Sequence, residues 1–124
     1  MFLDTLMVVV GGGIGAALRY LITMQLYGKN SPAFPYGTLV VNLIGCICIG
    51  VLAGYFENRP DLPMYFKLFA ITGVLGGLTT FSTFSLETFN LLTIHPLYAI
   101  TNITASIVAG LACVALGLQI TQIL

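Results

Sequence analysis

The chain turns apolar four times for long enough to cross a lipid bilayer: approximately Leu6 to Leu26, Tyr36 to Phe56, Phe66 to Leu92 and Pro96 to Ile120. A hydrocarbon core about 30 Å thick takes roughly 20 residues of α-helix at about 1.5 Å per residue, which is the length of each run. Hydrophobic residues make up 58% of the chain and charged ones 6%, against roughly 45–50% and 25% in soluble domains. So few charges cannot clothe a water-facing surface. The expected fold is an all-α membrane protein of four transmembrane helices, a single domain over residues 1–124 in an inner or plasma membrane. The N-terminus lacks the basic flank and small-residue cleavage site of a secretory signal, so the first run is expected to be a retained span.

Three short segments separate the runs. Gly28-Lys29-Asn30-Ser31-Pro32-Ala33-Phe34-Pro35 and Glu57-Asn58-Arg59-Pro60-Asp61-Leu62-Pro63 carry the prolines and polar residues that stop helices. The third connection is the stretch around Thr93 to Pro96, with the only histidine, His95. Arg19 and Lys29 belong to the first loop's side and Arg59 and Lys67 to the second's, two basic residues on each side. The excess of Lys and Arg that orients membrane proteins is missing, and both orientations are permitted.

The formal charge sums to zero, leaving no basic field for nucleic acid. Gly11-Gly12-Gly13-Ile14-Gly15 lacks the strand, lysine and ribose-binding acid of a nucleotide loop. The hydroxyls lack a base and a third partner, and His95 sits in a loop, so an enzyme is not expected. Cys46, Cys48 and Cys113 lie within apolar runs, and Cys46 and Cys48 point in different directions on a helix. They are expected to be packing residues. Gly11-xxx-Gly15, Gly50-xxx-Gly54 and Gly73-xxx-Gly77 predict close helix contacts, within one chain or between two.

Polar groups inside the spans are costly unless paired or bordering a wet cavity. Arg19, near the end of span one, either snorkels to headgroups or draws anions into a vestibule. Asn42 lies about two turns into span two, with an interhelical hydrogen bond as its plain role. In span three, Gly73-Val74-Leu75-Gly76-Gly77-Leu78-Thr79-Thr80-Phe81-Ser82-Thr83-Phe84-Ser85 disfavours a continuous helix. A break near the middle of that span is expected, freeing carbonyls that suit a small hard cation. Phe81 and Phe84 share a face, with Ser82, Thr83 and Ser85 alongside, and Glu87 follows Thr83 by one turn. On span four Asn102, Ser106 and Gly110 share a face and are expected to make interhelical contacts. Four short helices leave no room for an ion path without opening their own core, so such a path needs a partner chain.

These residues carry a resemblance to the CrcB/Fluc family of fluoride channels. It rests on Gly12-Gly13-x-Gly15-Ala16-x-x-Arg19-Tyr20, on Gly37-Thr38-Leu39-x-x-Asn42 and on Gly76-Gly77-x-Thr79-Thr80-Phe81-Ser82-Thr83-Phe84-Ser85-x-Glu87. The similarity runs over essentially the whole chain, and span four is its weak region. It implies an antiparallel, dual-topology homodimer with two fluoride pathways along the subunit boundary. It also implies a structural sodium ion, not transported, on the carbonyls of Gly76 and Thr79 from both subunits. By motif position Asn42 donates to fluoride, Phe81 and Phe84 form an aromatic box, and Ser82, Thr83 and Ser85 continue a polar track to Glu87. Arg19 matches a vestibule arginine.

The chemistry of the residues agrees with that resemblance. Fluoride is small and strongly hydrated, and a selective path must replace its water with closely spaced donors. Asn42 and the hydroxyls supply donors, and aromatic edges are electropositive without the trapping charge of a lysine. Passive export of cytoplasmic fluoride, giving a bacterium fluoride resistance, is the expected role. A fluoride/proton exchanger using Glu87 is the near alternative. A small multidrug-type exporter needs a carboxylate within span one, where this chain has Arg19, and a non-transporting scaffold is the third possibility.

Overall fold

The computed structural model describes residues 1–27 and 33–124, and all regular secondary structure among them is helical. Helix α1 spans Phe2–Tyr27 and α2 spans Tyr36–Glu57. Helix α3 covers residues 64–78: a first turn at Met64–Lys67, a π-helical stretch at Leu68–Leu75 and a last turn at Gly76–Leu78. Helix α4 spans Phe81–Ile94 and α5 spans Pro96–Ile123. The four expected spans are therefore α1, α2, the pair α3–α4, and α5, each long and apolar enough to cross a membrane. Residues 28–32 of the first predicted loop, Lys29 among them, lie outside the described residues.

Chain breaks fall where backbone chemistry requires them. Pro63 precedes α3, and Pro96 opens α5, where its missing N–H would have had no helical partner. Two charged ends rest on aromatic faces at the second loop: Arg59 lies 5.5 Å from the centroid of Tyr55 and Lys67 5.9 Å from that of Phe56. At the opposite end His95 stacks on Tyr98 with centroids 3.8 Å apart, and Phe34 meets Tyr98 edge-on. Such aromatic ends suit the two membrane interfaces.

The buried core is small. Val41, Leu75 and Leu78 form it, with Ile22, Cys48 and Leu52 packed around them. Most large apolar side chains point outward, as expected of helices whose outer surface meets lipid. Without a hydrophobic force between helices in lipid, association rests on close packing of small residues. The chain has two such seams, each joining parallel helices. In the first, a Cβ added to Gly11 or Gly15 would strike the carbonyl oxygen of Phe69 or Val74, and one on Gly77 would strike that of Gly12. In the second, Gly50 faces Val114 and Gly117, Gly54 faces Thr121, and Gly117 faces Ile47. All three predicted glycine pairs thus pack within the chain.

The predicted break in the third span is present, at Thr79 and Thr80. Thr79 has φ −87° and ψ 158°, and Thr80 φ −150° and ψ 119°, both extended. The paired glycines are not where the chain opens. Gly76 is helical at φ −61° and ψ −37°, and Gly77 serves the seam with α1.

Gly15→Ala and Gly117→Ala are each expected to destabilise the folded protein by about 1–3 kcal/mol, the usual range for overpacking. At Gly13 an added Cβ meets nothing within 4 Å, and Gly13→Ala should leave the thermal unfolding midpoint in detergent unchanged or raised.

Candidate functional site

The extended residues Thr79 and Thr80 take polar backbone into the middle of a span, where every such group needs a partner. Asn42 of α2 supplies two. Its Oδ1 accepts from the Thr80 N–H at 2.8 Å, and its Nδ2 donates to the Thr80 carbonyl at 3.1 Å. The interhelical bond expected of Asn42 is thus a two-point exchange of the kind one strand makes with another. One Nδ2 hydrogen remains, since the amide carries two donors.

The hydroxyls on either side complete the break. Thr79 Oγ1 donates back to the Leu75 carbonyl at 2.9 Å, beside the Thr79 N–H at 3.0 Å. Thr80 Oγ1 caps α4 by accepting from the Thr83 N–H at 3.1 Å. In an unbroken helix the N–H groups of Thr80 and Thr83 would close onto the carbonyls of Gly76 and Thr79. Here Asn42 Oδ1 and Thr80 Oγ1 take those donors instead. The carbonyls of Gly76 and Thr79 are thereby released, on a residue that is exposed and one that is half-buried.

Three cavities are strung along the chain from the break. The central one, about 450 Å³, is walled by Asn42, Gly76, Thr79, Thr80, Phe81 and Phe84 together with Cys46 and Ser106. The Phe81 and Phe84 rings are 5.8 Å apart at 43°. A second cavity of about 290 Å³ is lined by Arg19, Tyr27, Thr38, Thr80, Thr83 and Glu87 among others. Thr80 borders both. A third, of about 270 Å³, shares Tyr27 and Glu87 with the second and reaches Ala33 and Pro35 at the first loop.

Glu87 is held in place within the second cavity. Its Oε1 accepts from Thr38 Oγ1 at 3.0 Å and from the Tyr27 hydroxyl at 3.4 Å, while Oε2 is buried without a partner among the described residues. Arg19 borders the same cavity, its Nε likewise buried and unpartnered. The two make no ion pair.

The predicted site residues therefore fall into two groups. Asn42, Phe81 and Phe84 meet at the central cavity with Gly76 and Thr79, and Arg19, Thr83 and Glu87 meet at the second. Ser82 and Ser85 are exposed and line none of the three, although Ser82 Oγ lies 3.4 Å from Thr80 Oγ1. Thr38, Tyr27 and Thr80 were not singled out as site residues. Thr38 and Tyr27 lie on different spans from Glu87, and only their shared carboxylate betrays them. On α5 the fully buried Asn102 donates to Thr88 Oγ1 at 3.0 Å, an interhelical contact as expected, whereas Ser106 borders the central cavity.

Comparison with known proteins matches residues 6–118 to the family described as CrcB-like protein, Camphor Resistance (CrcB). The chain is 43% identical over 121 residues to the fluoride-specific ion channel FluC of Methylobacterium sp. (strain 4-46), covering 97% of each chain. It is 42% identical over 116 residues to the protein of that name from Flavobacterium psychrophilum, covering 93% of this chain and 94% of the other. With that of Escherichia coli O1:K1 / APEC it shares 41% over 118 residues, 94% of this chain and 93% of the other.

Asn42→Leu would strand both polar groups of Thr80, at about 1–3 kcal/mol each. A matching loss of thermal stability is expected, with faster amide exchange across residues 76–83 by mass spectrometry. Thr80→Val, which removes the cap and the contact with Ser82 Oγ but keeps the Asn42 clamp, should cost about 1 kcal/mol, and Thr80→Ser almost nothing.

Proposed function

This chain belongs to the CrcB family, and from that premise we propose that it is a multi-pass membrane channel passing fluoride down its electrochemical gradient. The observation that carries the proposal is the central cavity, where an amide donor and two aromatic rings share a wall with no cationic side chain. Fluoride gives up tightly held water only to closely spaced donors, and it leaves again only if no single site holds it strongly. Asn42 offers its remaining Nδ2 hydrogen, fixed in direction by the Thr80 clamp. Phe81 and Phe84 offer electropositive ring edges.

Arg19 acts at the mouth as an attracting charge. From the phenylalanines Thr83 and the hydroxyls of Ser82 and Ser85 continue the polar track to the second cavity, where Glu87 anchors Thr38 and Tyr27 and Arg19 borders the same space. Export of this kind lets a bacterium shed fluoride that enters as the neutral acid and ionises inside.

The working unit is an antiparallel homodimer. Phe81 is 79% exposed, and the central cavity lies open on the same side of the chain, so one subunit forms only part of the wall. The balanced basic residues permit two copies of opposite orientation. Gly76 and Thr79 suit a sodium ion at the dimer centre: their carbonyls are hard oxygen donors that have lost the amides that would have closed on them. Two copies bring four such oxygens together, and the ion supplies a fixed positive charge that holds the break.

A fluoride/proton exchanger is the alternative that one observation favours, the unpartnered Oε2 of Glu87. A channel moves fluoride at a rate set by its own gradient and the membrane potential. Efflux from liposomes with a potassium ionophore should therefore be fast for fluoride and absent for chloride, and unchanged when a pH gradient is imposed. Fluoride movement driven by the pH gradient alone would favour exchange, and no efflux from folded protein would sink both.

Phe81→Ile and Phe84→Ile should each slow fluoride by about tenfold or more, at least about 1.4 kcal/mol in barrier, while the dimer persists in size-exclusion chromatography. Replacing sodium by N-methylglucamine throughout purification should weaken the dimer and lower efflux, and readdition of sodium should restore both.

A further inference from the structure

The central cavity has one wall residue that anion passage does not use. Cys46 projects from α2 into it, and the register of the second glycine seam sets what it faces. Helices α2 and α5 run parallel there, with Gly50 against Val114 and Gly117 and Gly54 against Thr121. One turn back along both helices, the same register sets Cys46 against Gly110 and Cys113. Cys46 Sγ lies 3.5 Å from where a Cβ on Gly110 would stand, and Cys113 follows Gly110 by nearly one turn on the same face of α5. Both are free thiols and half-buried. Cys48, two residues on, turns instead into the core of Val41, Leu75 and Leu78.

We propose that Cys46 and Cys113 form a two-coordinate site for a soft monovalent cation, silver(I) or copper(I), whose binding closes the central cavity to anions. Thiolate sulfur selects soft metals. Among the described residues no three His, Cys, Asp or Glu side chains converge, so a tetrahedral zinc site is not available. Two thiols that the register brings to one level of a seam suit cations that accept two ligands. On binding, the two thiols release two protons and their sulfurs form two bonds to one cation, with no change of oxidation state. The product carries one net negative charge. Its Cys46 end stands in the wall shared with Asn42, Phe81 and Phe84, where it opposes an anion by charge as well as by volume. The closing effect rests on the proposed fluoride pathway, whereas the metal site does not.

The test uses silver nitrate in chloride-free buffer. Purified protein should take up one silver ion per chain at high affinity, protecting two of its three thiols from a maleimide. Cys46→Ser and Cys113→Ser should each abolish that uptake, and Cys48→Ser should retain it. In liposomes silver should slow fluoride efflux about tenfold or more in the unaltered chain and in Cys48→Ser, with full recovery on adding dithiothreitol. Equal uptake by Cys46→Ser, or three thiols reacting independently, would overturn the site. Silver bound at the pair with efflux undiminished would overturn the closure. A chain that passes no fluoride even without silver would fail the channel proposal, and the uptake stoichiometry would still decide the metal site.

Discussion

The exchange of two hydrogen bonds between the Asn42 side chain and the Thr80 backbone is the interaction on which the rest of this site depends. In the middle of a membrane an extended residue has no water to fall back on, and an unpaired amide or carbonyl there costs several kcal/mol. Asn42 meets both groups at once, at 2.8 and 3.1 Å. Only a side chain with a donor and an acceptor in one plane can do so. Once the Thr80 N–H is committed to α2 it cannot return to Gly76, and with Thr80 Oγ1 capping α4, Thr83 cannot return to Thr79. One asparagine therefore sets where the helix stops, which carbonyls are freed and where Phe81 begins the next helix.

The glycine seams give that interaction a rigid frame. Helix α1 packs on α3 and α2 on α5, in both cases with backbone against backbone, so neither pair can slide without collision. The break lies between the two pairs. The central cavity draws its walls from α2, α3, α4 and α5, and the second cavity from α1, α2 and α4. Both of these cavities thus lie between the closely packed pairs, where polar side chains and an ion have room.

The spans were legible in the sequence because twenty apolar residues have one common use, and the structure moves their ends by only a few residues. The break was legible too, and of the paired glycines and β-branched threonines that disfavour a helix there, it falls at the threonines. Paired glycines disfavour a helix in isolation, yet Gly76 and Gly77 stay helical, because Gly77 is the small surface α1 needs. Thr79 and Thr80 open instead because Asn42 waits opposite them, a tertiary fact that no local propensity contains. The Tyr27–Thr38–Glu87 cluster was hidden for a similar reason: three spans contribute one residue each, and none of the spacings is periodic. Cys46 read as a packing residue because its sequence neighbours are apolar, and only the seam register turns it toward a cavity and toward Cys113.

Hydroxyl groups show best where the chain is unfinished. Thr5, Thr23, Thr79, Thr93, Thr101 and Thr121 each return a hydrogen bond to a carbonyl three or four residues earlier in the chain, which settles a hydroxyl cheaply in lipid. Ser85 makes no such bond among the described residues, and Ser82 has only Thr80 Oγ1 at 3.4 Å. Both are exposed on the same face of α4 as Leu86 and Phe89. A face of that composition is too polar for lipid and too apolar for water. In the proposed dimer a second copy of the chain would resolve the mismatch, covering Leu86 and Phe89 and leaving the serine hydroxyls bordering the space between subunits. The proposed polar track would then be completed by contact with that partner, each chain carrying one half of it.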